Sequence, residues 1–112
     1  MSVPAATLDT VVDPNRLAAL ATYGILNTAP EKGFDDIVLL ARNICETPVA
    51  LVSLVAGDQQ WFKARLGFPE CGTDLNASVC VHALVEPDLL VIPDLTRDPR
   101  TLTNPLVTGG FV

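Results

Sequence analysis

The chain has 112 residues, 49% apolar and 18% charged, with 7 basic against 13 acidic side chains and a net charge of −6. That suits one small globular domain and argues against disorder, because a chain of positive mean hydropathy can bury a core. An acidic chain with scattered Lys and Arg lacks the positive stripe that nucleic-acid binding needs, and its longest near-unbroken apolar run, Val49 to Ala56, is far short of the ~20 residues of a membrane span.

The first fifteen residues carry no Lys or Arg, so neither a secretory signal nor an Arg-rich transit peptide is read there, and a cytoplasmic location is expected. Residues 1–13 read as a small-residue leader ahead of a domain over 14–112. Asp13-Pro14 is a helix start, since Asp accepts a bond from an orphan amide and Pro is pre-set for the first turn. Leu17, Leu20 and Ala21 keep helical spacing, and Gly24 can close the helix in a left-handed conformation, which predicts a helix over Pro14–Tyr23.

Thr28-Ala29-Pro30-Glu31 has the form of a capping box for a longer helix. Phe34, Ile37, Val38, Ala41, Ile44 and Cys45 form one apolar stripe expected to be core, while Asp35, Asp36, Arg42 and Glu46 face elsewhere. Early acidic residues suit the helix dipole, and Thr47-Pro48 ends the helix. Val49–Val55 is β-branched and almost wholly apolar, so it reads as a strand covered on both faces in the middle of an antiparallel layer. Gly57-Asp58-Gln59 is a turn. The segment Gln60–Leu66 then alternates, with Phe62, Ala64 and Leu66 on one face and Trp61, Lys63 and Arg65 on the other. The two strands should form an antiparallel hairpin.

Gly67–Ala77 reads as a loop. Ser78–Val85 predicts a short helix with Asn76 as cap and Pro87 as stop, and Leu89–Ile92 a short buried strand. Asp98-Pro99 can open a helical turn that Asn104-Pro105 closes. Thr108-Gly109-Gly110 is a turn, and Phe111-Val112 the first step of a further strand. The apolar strand Val49–Val55 has one assignable neighbour, so either a longer domain or a second copy is expected to supply another.

Several of these segments together resemble the GAF domains of bacteria. They are Arg16-Leu-Ala-Ala-Leu, Tyr23-Gly-Ile-Leu-Asn-Thr-Ala-Pro-Glu and Phe34-Asp-Asp-Ile, then Thr47-Pro-Val-Ala-Leu-Val-Ser-Leu-Val, Gln60-Trp-Phe-Lys-Ala and Ser78-Val-Cys-Val-His-Ala-Leu, then Val91-Ile-Pro-Asp, Asp98-Pro-Arg and Asn104-Pro-Leu-Val-Thr-Gly. The similar variant stands at the front of sensor histidine kinases and diguanylate cyclases. The resemblance implies an α+β fold related to PAS domains, an antiparallel sheet of about six strands with helices on both faces, and a ligand pocket on one side. In the closest subgroup further strands follow the position of Gly110, so the domain is expected to be incomplete at its C-terminus.

Candidate chemistry is sparse. Trp61 could wall a pocket and Lys63 contact an anionic ligand; alternatively Trp61 lies under a helix and the charges are solvated. Cys80-Val81-His82 tempts a metal reading, but side chains two apart on a helix point about 200° apart, and no further ligands have metal spacing. Packing of Cys80 in the core and a local hydrogen bond for His82 is the simpler reading. Val81 also separates Cys80 from His82, whereas bilin-binding GAF domains carry Cys directly before His. Asp94 contacts a ligand or braces its loop. Cys45, Cys71 and Cys80 show no CxxC pair and no nucleophile-resolver pattern, and no phosphate loop, GxSxG or HExxH is present.

The expectation is therefore a non-enzymatic regulatory module of a two-component-type sensor. It would bind an unidentified small molecule, dimerise, and control a C-terminal output such as a histidine kinase, with no cofactor assigned. A dimerisation scaffold without a ligand, and a thiol-based free methionine sulfoxide reductase, are the alternatives.

Overall fold

The structure, a computed structural model, describes residues 3–110; the strand expected to start at Phe111-Val112 lies outside the described residues. The elements are α1 (Ala5–Val11), α2 (Pro14–Tyr23), α3 (Lys32–Cys45), β1 (Ala50–Val55), β2 (Gln59–Leu66), β3 (Gly72–Asp74), a 3-10 helix (Cys80–Val85) and α4 (Pro105–Thr108). The strands form one antiparallel sheet in the order β1-β2-β3. Helices pack on it, as the α+β reading anticipates.

α2 has the caps its sequence implies. Asp13 accepts hydrogen bonds from the Asn15 and Arg16 amides at 2.8 and 3.3 Å, and Gly24 closes the helix at φ 58°. Arg16 then does what no local pattern shows. Its guanidinium donates to the carbonyls of Thr10 at 3.1 Å, Val11 at 2.6 Å and Val55 at 2.7 Å, tying the end of α1 to the end of β1. The stretch expected to be a leader is thus corrected to α1, whose Val11 is fully buried with Val55 and Val81 in the core. Small residues allow that close approach, which is why the segment looks featureless in sequence.

α3 begins later than the capping-box reading places it. Glu31 is the N-cap residue without a side-chain cap bond, and the Thr28 hydroxyl donates back to the Ile25 carbonyl. The expected core stripe also divides. Val38 is buried and Phe34 half-buried against the sheet, but Ile37, Ala41, Ile44 and Cys45 are exposed, as is the neighbouring Leu40. A sheet of three strands is only about 10 Å across its strand axes, too narrow to cover the whole apolar face. For the same reason β1 stands at the edge of the described sheet, not in its middle, and is half-buried over most of its length.

The hairpin contains a β-bulge. Val52 pairs with Ala64 and Ser53 with Phe62, so Lys63 is an extra residue on β2. Cross-strand partners share a face, which groups Ser53, Val55, Gln60 and Phe62 on one side and Val52, Leu54, Trp61 and Ala64 on the other. The regular alternation expected along β2 therefore breaks at Lys63: Ala64 joins the α3 side, and Arg65, opposite Leu51, leaves it. Within the expected loop 67–77 lies β3. Its Gly72 is required by close approach to β2, since a Cβ there would stand 2.4 Å from the Gln60 carbonyl oxygen.

Two later expectations need correction. Val79, not Asn76, is the N-cap residue of the 3-10 helix; it has no side-chain cap bond, and the Ser78 hydroxyl just before it accepts from the Val81 amide at 3.2 Å. Leu89–Ile92 forms no strand, and Leu89 and Val91 are exposed, because no neighbouring strand pairs with them among the described residues. The helical turn expected from Asp98 is present and closes at Asn104, whose amide donates to the Thr101 carbonyl at 2.9 Å; its side chain then opens α4, accepting from the Leu106 amide at 2.9 Å.

The burial of α1 makes a direct prediction. Val11→Ala should lower stability to thermal unfolding by about 1–3 kcal/mol, the range for buried methyl groups. Val12→Ala, at a position 47% exposed, should cost less than about 0.5 kcal/mol. Equal, negligible effects would return the segment to a dispensable leader.

Candidate functional site

An open groove of about 720 Å³ lies between α3 and the sheet. Asn27, Thr28 and Pro30 of the α2–α3 connection form one wall, Asp35, Asp36, Val38 and Leu39 of α3 a second, and β2 from Trp61 to Leu66, with Cys71, the floor. Its size falls within the range of small-molecule sites. The bulge shapes it. Ala64 supplies a short floor residue, and the Arg65 guanidinium is drawn to the carbonyls of Phe68, at 3.3 Å, and Pro69.

Lys63 sits at the junction of floor and wall, with its side chain wholly buried. Its ammonium meets the Glu31 carboxylate at 2.6 Å, the Thr28 hydroxyl at 2.7 Å and the Ala29 carbonyl at 2.6 Å, and lies 5.7 Å from the centre of the Phe34 ring. An ammonium has three N–H donors, and all three have acceptors within the protein. None is left for an anionic ligand. Thr28 and Glu31, which look like a helix cap in sequence, are instead the acceptors of a lysine more than thirty residues away.

The opposite face of the sheet carries a second polar arrangement. Gln60 is buried; its amide oxygen accepts from the hydroxyls of Ser53 at 3.0 Å and Ser78 at 2.7 Å, and its amide nitrogen donates to Thr73 at 3.0 Å. Four elements of the chain are joined through one side chain, and every hydrogen-bonding atom of it that lies buried is satisfied.

Of the residues singled out in sequence, Trp61 and Lys63 come together in the groove. Cys80 and His82 belong to the 3-10 helix under the other face. Burial pushes the Cys80 thiol up, with a hydrogen bond to Ser53 opposing, so it is not an activated nucleophile. His82 is buried. Burial first, then the Arg100 guanidinium, pulls it below the ordinary imidazole value, while the Asp98 carboxylate and the Arg100 backbone oppose. Asp98 grips Arg100 through two contacts, Nε to Oδ1 at 2.9 Å and Nη2 to Oδ2 at 2.8 Å, and its carboxyl is held down to about 2 by these bonds and the Arg100 amide. Asp94 is exposed and braces its own turn, accepting from the Thr96 amide at 2.9 Å and hydroxyl at 2.6 Å. Asp35, Asp36, Asn27 and Cys71 line the groove without having been marked in sequence. The acidic pair was read only as the helix's other face, and nothing local shows that the connection before α3 bends over β2. Among the described residues no three His, Cys, Asp or Glu side chains converge on a metal position.

Over 95 residues the chain is 32% identical to a cyclic di-GMP phosphodiesterase of Pseudomonas aeruginosa. The match covers 85% of this chain and 16% of that protein, so the chain spans a small part of the curated relative it matches. No family model matches the sequence. No helix among the described residues is long and apolar enough to cross a membrane.

The lysine site predicts an asymmetry. Glu31→Ala leaves a buried ammonium with two neutral acceptors and should cost about 1–3 kcal/mol. Lys63→Met removes the charge itself, and the Glu31 carboxylate, already 61% exposed, returns to water, so this change should cost less than about 1 kcal/mol. Chemical denaturation of both variants checks the order.

His82 predicts a pH dependence. Its folded-state pKa lies below the ordinary 6.5, so the unfolded chain binds the extra proton and stability falls as pH drops below that value. His82→Gln should flatten the melting temperature between about pH 7 and 5. The separate loss due to Asp98, which begins below its ordinary 3.8 and runs towards about 2, should persist in that variant. An unchanged slope above pH 5 would remove His82 as its source.

Proposed function

We propose that the chain is a GAF-type sensory module of a bacterial signal-transduction protein. It binds a small molecule in the groove between α3 and the sheet and biases a C-terminal output domain through a change in dimer geometry. One observation carries this reading: a groove of ligand size lies between a helix and an antiparallel sheet, on the hairpin whose sequence resembles GAF domains. The Pseudomonas aeruginosa relative supports a bacterial signalling role and favours cyclic di-GMP turnover over histidine phosphorylation as the kind of output. Catalysis is assigned to that output and not to this module. The mechanism is a population shift, in which ligand prefers one packing of α3 and its preceding connection on the sheet.

A ligand-free dimerisation scaffold is the second reading, and the exposed row Ile37, Leu40 and Ile44 on α3 favours it. The thiols give no such support to a sulfoxide reductase, for the protonated Cys80 lies under the sheet while Cys45 ends α3 and Cys71 lies between β2 and β3. Native mass spectrometry of the freshly purified protein separates the first two readings. A retained small molecule that dissociates on activation is the expected result. A bare dimer from every preparation, with no ligand-induced rise in melting temperature across a metabolite set, would favour the scaffold and overturn sensing.

A further inference from the structure

The α2–α3 connection is fastened to the rest of the fold at a single point. Residues 27–33 are exposed throughout. Among the described residues, every hydrogen bond or ion pair that residues 25–33 make beyond themselves and α3 ends on one atom, the Lys63 ammonium nitrogen. Its partners are the Thr28 hydroxyl, the Ala29 carbonyl and the Glu31 carboxylate, the last 61% exposed and so within reach of water. Glu31 is also the N-cap residue of α3 and makes no cap bond, so no side-chain cap holds the helix start once the ammonium lets go. At the root of the segment the chain turns through left-handed backbone at Gly24 and Asn27, both at φ 58°, residue types that reach this conformation at little cost. The same segment supplies Asn27, Thr28 and Pro30 as one wall of the groove.

We infer that residues 27–33 form a lid on the groove, latched by Lys63 and able to open while the sheet stays folded. Local opening of this kind belongs to segments that bury few apolar contacts and keep their bonds near solvent. In the closed state all three ammonium donors are used inside the protein. Opening removes one wall of the groove and uncovers that ammonium on its floor. The open state therefore offers a ligand a cation that the closed state withholds, and a ligand that binds the two states unequally shifts the lid population. What the lid admits rests on the sensing reading above; that it opens does not.

Lys32 and Lys63 are the two lysines of the chain. The Lys32 side chain is 88% exposed and that of Lys63 wholly buried, so Lys32 is an internal standard for amine labelling. The test follows acetylation of both by N-hydroxysuccinimidyl acetate, read by mass spectrometry of peptides, in urea from zero to just below the unfolding transition. A lid gives slow labelling of Lys63 whose rate relative to Lys32 barely changes with urea, because opening exposes little surface. Val11→Ala, which loosens the core on the other face of the sheet, should leave that rate within about twofold. Glu31→Gln should raise it roughly tenfold through loss of the charge-assisted bond. Labelling of Lys63 only in step with global unfolding, or a rise as large in Val11→Ala as in Glu31→Gln, would overturn the lid. A small molecule retained in native mass spectrometry would then leave sensing in place behind a fixed wall. Labelling in the lid pattern with a bare mass would keep the lid and remove sensing.

Discussion

A buried ammonium has to find acceptors, and in this fold the acceptors of Lys63 fix where the chain runs before α3. Uncompensated burial of such a charge would cost several kcal/mol even after relaxation. Glu31, Thr28 and Ala29 meet that requirement together, so the α2–α3 connection is held over β2 and becomes a wall of the groove. The bulge is the other half of the same constraint. One extra residue at Lys63 turns the strand enough to bury its side chain, brings Ala64 onto the groove floor and sets Arg65 opposite Leu51. The shape of the groove floor follows from a single inserted position.

The two faces of the hairpin are held by different chemistry. On the α3 side an ion pair and a few apolar contacts hold a helix whose outer row stays exposed. On the other side Gln60 links β1, β3 and the start of the 3-10 helix through neutral hydrogen bonds, beside the fully buried Val11 and Val81. The neutral side is the better sealed and suits a rigid base. The side of the open groove is where a ligand could alter packing, which agrees with a module that responds rather than catalyses.

Local chemistry was legible in the sequence, and distant pairing was not. Asp13-Pro14 and Gly24 bound α2 because capping is decided within a few residues. The hairpin was legible because its apolar strands flank a short turn. The bulge was invisible, since Gln60–Leu66 alternates without a break and only the register with β1 reveals the extra residue. β3 has three residues, too few for any period, and is signalled only by the close approach at Gly72. Leu89–Ile92 has the composition of a strand but lacks a paired neighbour, because strands depend on partners that composition does not supply. At the site, Trp61 and Lys63 were found as a pair, yet the partners of Lys63 lie far back in the chain and pass for a helix cap. Their identity converts the lysine from a ligand contact into an internal clamp.

The most direct measurement of this account is the pattern of cross-strand nuclear Overhauser effects in the isotopically labelled protein. The account predicts contacts that pair Val52 with Ala64 and Ser53 with Phe62, with Lys63 unpaired and its side chain close to Thr28 and Glu31. Contacts pairing Val52 with Lys63 in an unbroken ladder, with the lysine ammonium exchanging freely with water, would contradict it.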